Sequence, residues 1–190
     1  MPIFCPIFDW LIANQKEKLM KATFGGGCFW CTEAIFKNLK GVSSVLPGYM
    51  GGTKENPTYK EVCTGLTGHA EVIQIEYDPQ AISYQELLGV FFRTHNPTTL
   101  NRQGNDVGTQ YRSAIFFHDE AQREEAEAFI KRLTDEQVYD DPIVTEITPA
   151  STFWEAEDYH HDYFANHPEN PYCAAVIQPK VTKFLKSLVH

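Results

Sequence analysis

The chain has 190 residues, of which 43% are hydrophobic and 22% are charged, a composition typical of a globular domain and unlike that of a disordered chain. The formal net charge is −9, which argues against nucleic acid and anionic membranes as partners. No apolar stretch reaches the roughly 18 residues that span a bilayer, and residues 1–10 lack the basic region of a signal peptide.

Hydrophobic periodicity predicts strands and helices that alternate along the chain. The predicted strands cover residues 20–24, 42–49, 69–78, 114–117 and 143–147. The predicted helices cover residues 28–40, 84–92, 119–133, 155–164 and 181–188. A capping box of Ser83 and Glu86 precedes the second helix. The polar loop of residues 95–112 is long for a compact domain, and such loops are often functional.

The order of these elements favours a sheet with helices packed mainly on one face. We expect an α+β fold, a two-layer αβ sandwich of the ferredoxin-like (split βαβ) type with additional helices and loops. One domain is expected over residues 1–190, with an N-terminal arm or helix over 1–20 and a C-terminal extension from about residue 165 to 190.

The cysteines lie at positions 5, 28, 31, 63 and 173. An odd number of cysteines in a chain without an export signal argues against a structural disulfide framework and favours a reducing cytoplasm. In that compartment, a closely spaced cysteine pair indicates metal binding or redox catalysis.

Cys28 follows the glycines at 25–27, at the predicted junction of a strand and a helix. Glycine permits backbone conformations there that other residues resist. The unpaired N–H groups and the dipole of a helix N-terminus favour an anion, so we expect a lowered pKa for Cys28 and a nucleophilic thiolate. Cys31 lies about one helical turn further on and is a candidate resolving thiol that closes a disulfide with oxidised Cys28.

Three other interpretations of this Cys-x-x-Cys pair stay open at this point. The pair can be half of a zinc site completed by His160 and His161, although these histidines are more typical of surface or core-edge positions. It can be the redox pair of a thioredoxin-like protein, or two inert cysteines beside a structural turn.

Five longer motifs are spread along the chain beyond the Cys-x-x-Cys pair. They occupy residues 26–33, 48–52, 57–63, 67–71 and 101–113, and read GGCFWCTE, GYMGG, PTYKEVC, TGHAE and NRQGNDVGTQYRS. In composition and order they resemble the A-type peptide methionine sulfoxide reductases. The resemblance runs from about residue 21 to 180, which is nearly the whole chain.

The resemblance implies an enzyme that reduces methionine-S-sulfoxide, in proteins and as the free amino acid, and so repairs proteins after oxidation. In this family the cysteine at the position of Cys28 attacks the sulfoxide sulfur and becomes a sulfenic acid, which a second thiol resolves to a disulfide. Thioredoxin then returns the enzyme to its dithiol form. No cofactor is implied, and we expect a cytoplasmic monomer.

The resemblance also implies how the sulfoxide oxygen is activated. The Glu71 carboxyl is the proton donor, and the hydroxyl groups of Tyr59 and Tyr111 donate hydrogen bonds. The strand pattern gives independent support for Glu71, because alternation places it on the apolar face with Ile73 and Ile75. A carboxyl group at the end of a buried face has a raised pKa, which favours a proton donor.

The remaining implied roles concern the substrate and the second thiol. Phe29 and Trp30 form an apolar pocket for the sulfoxide methyl group, and Asp106 supports the same pocket. Many relatives carry resolving cysteines in a glycine-rich tail and have glycine at the position of Cys31. The sulfenic acid of Cys28 is therefore resolved by Cys31, by Cys173, or by both in turn, and proximity favours Cys31. Cys5 and Cys63 are expected to be spectators.

Overall fold

The structure of the chain is a computed structural model that describes residues 19–187. Cys5 and all but the last two residues of the expected N-terminal arm lie outside this range. Within it, no helix is both long and apolar enough to cross a membrane.

A six-stranded sheet forms the centre of the molecule, in the order β7-β6-β1-β3-β2-β8. Every neighbouring pair is antiparallel except β6 and β7, which are parallel. A separate two-stranded hairpin consists of β4 and β5. The strands are β1 (Met20–Gly26), β2 (Val42–Met50), β3 (Ala70–Tyr77), β4 (Arg102–Gln103), β5 (Asp106–Val107), β6 (Ser113–Phe117), β7 (Glu146–Pro149) and β8 (Trp154–Glu155).

Six α-helices surround the sheet in the described part of the chain. They are α1 (Phe29–Phe36), α2 (Tyr59–Cys63), α3 (Tyr84–Thr94), α4 (Glu120–Asp135), α5 (Tyr163–Asn166) and α6 (Gln178–Ser187). The capping box predicted before α3 is confirmed, since Ser83 Oγ accepts from the Glu86 N–H and the Glu86 carboxylate accepts from the Ser83 N–H. The fold is thus of mixed α and β composition.

The two faces of β3 belong to two different apolar clusters. Ile73, Ile75 and Tyr77 join the main core with the helices, whereas Ala70 and Val72 join a smaller cluster. This division follows the two-residue period of a strand. Because Glu71 has the same parity as Ile73, its side chain leaves β3 towards the main core, where α1 packs.

The prediction of one helix over residues 155–164 is wrong. The segment begins in β8, forms a 3₁₀ turn at Asp158–His160, and reaches α5 through Asp162, which has a φ of 53°. Long-range contacts explain why this segment is not one helix. The side chains of Glu157 and His160 bond with groups distant in sequence, namely the Tyr49 hydroxyl, the Tyr59 N–H and the Trp30 indole, and these contacts replace the local helical hydrogen bonds.

Other boundaries also differ from the predictions. The first helix ends at Phe36 rather than at residue 40, and β7 covers Glu146–Pro149 rather than 143–147, since only this stretch pairs with β6. The last helix begins at Gln178, three residues earlier than expected, after a π-helical turn at Cys173–Ile177. Helix α2 was not predicted, although Thr58 and Glu61 form a second capping box.

Candidate active site

The turn between β1 and α1 places Cys28 at a helix N-terminus, as the glycine run predicts. Gly27 has a φ of +89°, and a Cβ atom there would lie 2.6 Å from the Gln103 side chain. Both features require glycine. Cys28 is the N-cap residue of α1, and its carbonyl accepts a 3.1 Å hydrogen bond from the Cys31 N–H. Cys28 is half-buried as a residue.

Glu71 lies directly beneath this turn. Its Oε2 accepts a 3.1 Å hydrogen bond from the backbone N–H of Phe29, the residue after Cys28. Its Oε1 is buried and has no hydrogen-bond partner within the described chain. Burial raises the pKa of Glu71 to about 8; the charges of Asp106 and Cys31 add to this, and the Phe29 amide opposes it. The carboxyl group is therefore protonated at neutral pH and has one oxygen available.

Tyr59 and Tyr111 reach the same region from α2 and from the 3₁₀ turn before β6. Both are partly buried, and burial followed by the charge of Glu71 raises the pKa of each hydroxyl. The charge of Cys28 also raises the pKa of Tyr111. The neighbouring thiol of Cys63 raises the pKa of Tyr59 further. Both tyrosines therefore remain neutral hydrogen-bond donors at physiological pH.

An aromatic wall fixes the orientation of Trp30. The indole stacks on Tyr163 with ring centroids 3.7 Å apart and 6° between the planes. Its Nε1–H donates a 3.0 Å hydrogen bond to Nδ1 of His160. Phe29 is only 1% exposed and packs on Tyr59 and His160. Phe29 is thus a buried support, while Trp30 keeps a partly exposed surface.

A cavity of about 430 Å³ opens beside the two thiols. We call it the sulfur cavity, and its lining includes Cys28, Cys31, Asp106, Tyr172 and Lys180. Asp106 accepts a 2.8 Å hydrogen bond from the Tyr172 hydroxyl, which ties the β4–β5 hairpin to the C-terminal part of the chain. The structure therefore brings Asp106 next to the predicted nucleophile.

The expectation of a lowered pKa for Cys28 is wrong for the reduced protein. The hydrogen bond with Cys31 raises the pKa of Cys28 well above its usual value, and burial and the charge of Glu71 raise it further. The Trp30 backbone N–H acts in the opposite direction but does not offset these effects. The same bond lowers the pKa of Cys31, with help from Lys180 and Tyr172, although burial opposes it. Cys31 is therefore the first of the two thiols to ionise in the reduced protein.

Cys173 lies beyond Cys31 on the π-helical turn. It is fully buried and a free thiol. Burial first, and then the charges of Cys31 and Glu169, raise its pKa. Cys63 is also free but exposed. Among residues 19–187, no group of three or more His, Cys, Asp or Glu side chains is arranged to hold a metal ion.

Comparison with known proteins decides the family. The family model described as peptide methionine sulfoxide reductase matches residues 20–190. The chain belongs to this family. The resemblance inferred from the motifs is therefore confirmed. A family relative from Saccharolobus solfataricus, peptide methionine sulfoxide reductase MsrA, is 60% identical over 165 residues, which cover 87% of this chain and 92% of the relative.

Solved structures of the family share the fold. Mxr1 from Saccharomyces cerevisiae in its reduced form is 35% identical, with a TM-score of 0.77 over 84% of this chain and 91% of Mxr1. Mxr1 in complex with Trx2 is 25% identical, with a TM-score of 0.55 over 78% of this chain and 87% of that chain.

Three residues that lie outside the family motifs also join the site of this family member. His160 was expected at the surface or core edge, but it is fully buried against Phe29 and Trp30. Glu157 accepts a 2.8 Å hydrogen bond from the Tyr59 N–H. Tyr172 bonds to Asp106. No local pattern marks these residues, because they reach the site only through long-range folding.

Proposed function

We propose that this chain reduces methionine-S-sulfoxide to methionine, in proteins and as the free amino acid, and so repairs proteins after oxidation. The observation that supports this most directly is the arrangement around Cys28. A thiol at a helix N-terminus lies beside the protonated carboxyl group of Glu71, whose Oε1 has no partner in the described chain. A sulfoxide needs such a nucleophile at sulfur and such an acid at oxygen.

In the first step, the Cys28 thiolate attacks the sulfoxide sulfur. The proton of Cys28 passes to Cys31, whose thiol is the first of the pair to ionise. Glu71 gives its proton to the sulfoxide oxygen as a bond forms between the sulfurs of Cys28 and methionine, and it later regains a proton from solvent. The methionine sulfur–oxygen bond and the new sulfur–sulfur bond then break as the hydroxyl group bonds to the Cys28 sulfur. The products are methionine and the sulfenic acid of Cys28. Methionine sulfur gains two electrons and Cys28 sulfur loses two, so the step balances.

The remaining site residues bind and polarise the substrate. The hydroxyl groups of Tyr59 and Tyr111 donate hydrogen bonds to the sulfoxide oxygen, because both stay protonated. Trp30, supported by Phe29, gives an apolar surface for the methyl group. Asp106, held by Tyr172, lies at the edge of the sulfur cavity and positions the substrate there.

In the second step, the Cys31 thiol attacks the sulfenic acid, which yields a Cys28–Cys31 disulfide and one water molecule. The two cysteines lie about one helical turn apart, with the Cys31 N–H bonded to the Cys28 carbonyl at 3.1 Å, and this proximity supports Cys31 as the resolving residue. Cys173 is the alternative resolving thiol, either by direct attack or by exchange with Cys31, whose charge raises the pKa of Cys173.

Thioredoxin returns the disulfide to two thiols. The complex of the family member Mxr1 with Trx2 supports this partner. Thiol–disulfide exchange with a dithiol reductant supplies the two electrons that the cycle consumes.

The nucleophile assignment is tested by Cys28→Ser in an epimer-resolved assay on a methionine sulfoxide peptide with dithiothreitol as reductant. We expect loss of S-epimer reduction, whereas Cys63→Ser, the matched control at an exposed thiol, keeps it. Retained activity in Cys28→Ser would refute the assignment of Cys28 as the nucleophile.

The resolving thiol is tested by peptide mass mapping after one turnover without reductant. We expect a Cys28–Cys31 bridge. A Cys28–Cys173 bridge in its place would reject Cys31 as the first resolving residue.

The fold class and cellular setting belong to the same proposal. β3 lies between β1 and β2, and β1 lies between β3 and β6, which supports a two-layer sandwich of the ferredoxin-like (split βαβ) type. The protein acts as one catalytic domain and as a monomer. Cys28, Cys31, Cys63 and Cys173 are all free, which suits the reducing cytoplasm.

A further inference from the structure

A second cavity, of about 500 Å³, lies next to the sulfur cavity. Its lining includes Arg93 at the end of α3, Gln103 on β4, and Lys180 and Lys183 on α6. We call it the basic groove. No aspartate or glutamate of the described chain lines it. Three cations around one concavity are unusual in a chain with a net charge of −9.

The cations of the basic groove have no carboxylate partners. Among the ion pairs of residues 19–187, none involves Arg93, Lys180 or Lys183. Arg93 and Lys183 are exposed, and Lys180 is half-buried. Their combined field is therefore directed into the groove, where a ligand with negative charge would be attracted.

The basic groove is continuous with the place where chemistry occurs. Gln103 and Lys180 line both the groove and the sulfur cavity. Gln103 also packs against Gly27, the residue that precedes Cys28. A peptide with its sulfoxide side chain at Cys28 therefore has a path into the groove, since each extended residue advances the chain by about 3.3 Å.

We propose that the basic groove binds aspartate or glutamate side chains that flank the methionine sulfoxide in a protein or peptide substrate. This inference rests on the proposed reductase function and adds a preference for sequence context. The occupant is a flexible acidic segment, because a concave groove admits side chains, whereas a folded partner presents a broad and mostly flat surface.

The test compares two peptides of equal length, each with one methionine sulfoxide. In one peptide two glutamates flank the sulfoxide on each side, and in the other two glutamines take their place. Dithiothreitol is the reductant, and kcat/KM is measured at low salt and at high salt. The wild-type protein should prefer the glutamate peptide by about three- to tenfold at low salt, as several weak exposed ion pairs allow. High salt should reduce the preference.

The doubly substituted protein Arg93→Gln/Lys183→Gln keeps only Lys180 among the groove cations and should lose most of the preference for the glutamate peptide. Lys186→Gln is the control for a charge lost from α6, because it removes one positive charge, as Lys183→Gln alone does, from an exposed position outside the groove. This control should keep the wild-type preference. All these proteins should reduce N-acetylmethionine sulfoxide amide, which lacks flanking charge, at the same rate.

The outcomes separate this inference from the proposed function. Failure of the wild-type protein to reduce the small amide would reject the reductase function itself. Reduction of the amide without any preference between the two peptides would overturn the acidic subsite alone. If the double substitution changed only the thioredoxin concentration at half-saturation, the groove would be a reductant surface, and the peptide assignment would be wrong.

Discussion

The Glu71→Gln substitution tests whether a buried carboxyl group keeps its proton in the native protein. An unfolded glutamate releases its proton near pH 4.5, whereas burial holds the pKa of Glu71 at about 8 in the folded chain. Between these two pH values the folded state binds more protons than the unfolded state. The free energy of unfolding must therefore fall as the pH rises through this window.

The magnitude follows from the difference between the two pKa values. One pKa unit corresponds to about 1.4 kcal/mol, so a difference of about 3.5 amounts to about 5 kcal/mol above pH 8. Between pH 5 and pH 7, linkage assigns about 2.5 kcal/mol of destabilisation to Glu71 alone. Glutamine has nearly the same shape and carries no charge at either pH, so the variant loses this contribution.

Urea unfolding at pH 5 and pH 7 measures the effect for the wild type and the variant. We expect the fall in unfolding free energy from pH 5 to pH 7 to be smaller in Glu71→Gln by about 2.5 kcal/mol. The control is Glu76→Gln, which removes a half-exposed carboxyl group from the same strand and should keep the wild-type difference. Equal pH dependence in the wild type and Glu71→Gln would show that Glu71 is ionised in the native state, and the general-acid argument would fail.

Three further predictions use independent measurements. The wild-type kcat/KM for N-acetylmethionine sulfoxide amide should fall above about pH 8 as Glu71 loses its proton; a profile that stays flat to pH 9.5 would contradict this. Tyr59→Phe keeps the ring but removes the hydroxyl donor, so kcat should fall about 10²-fold with an unchanged circular dichroism spectrum; unaltered kcat would exclude the hydrogen bond to the sulfoxide. Ser83→Ala removes the α3 cap and should lower the unfolding free energy by about 1 kcal/mol in urea titrations without loss of activity; an unchanged midpoint would mean that the cap contributes nothing.

The local features of the site were predictable because their signals lie within a few residues. The glycine run before Cys28 predicts a tight turn, and the structure has this turn with Gly27 at positive φ. The Ser83 and Glu86 pair predicts a helix start in the same way. Alternation along β3 places Glu71 on the core face, since the period of a strand is a property of the backbone itself.

The tertiary structure alone decided the electrostatics of the site. Glu71 meets the Phe29 N–H across 42 positions of sequence, and its pKa depends on the groups that exclude water from it. The pKa of Cys28 was predicted with the wrong sign: the interaction with Cys31 is the largest cause of its rise, and burial and the charge of Glu71, which only folding brings about, add to it. Likewise, His160 and Glu157 enter the site by breaking a predicted helix. Sequence patterns report backbone geometry, but desolvation and charge depend on neighbours that only folding brings together.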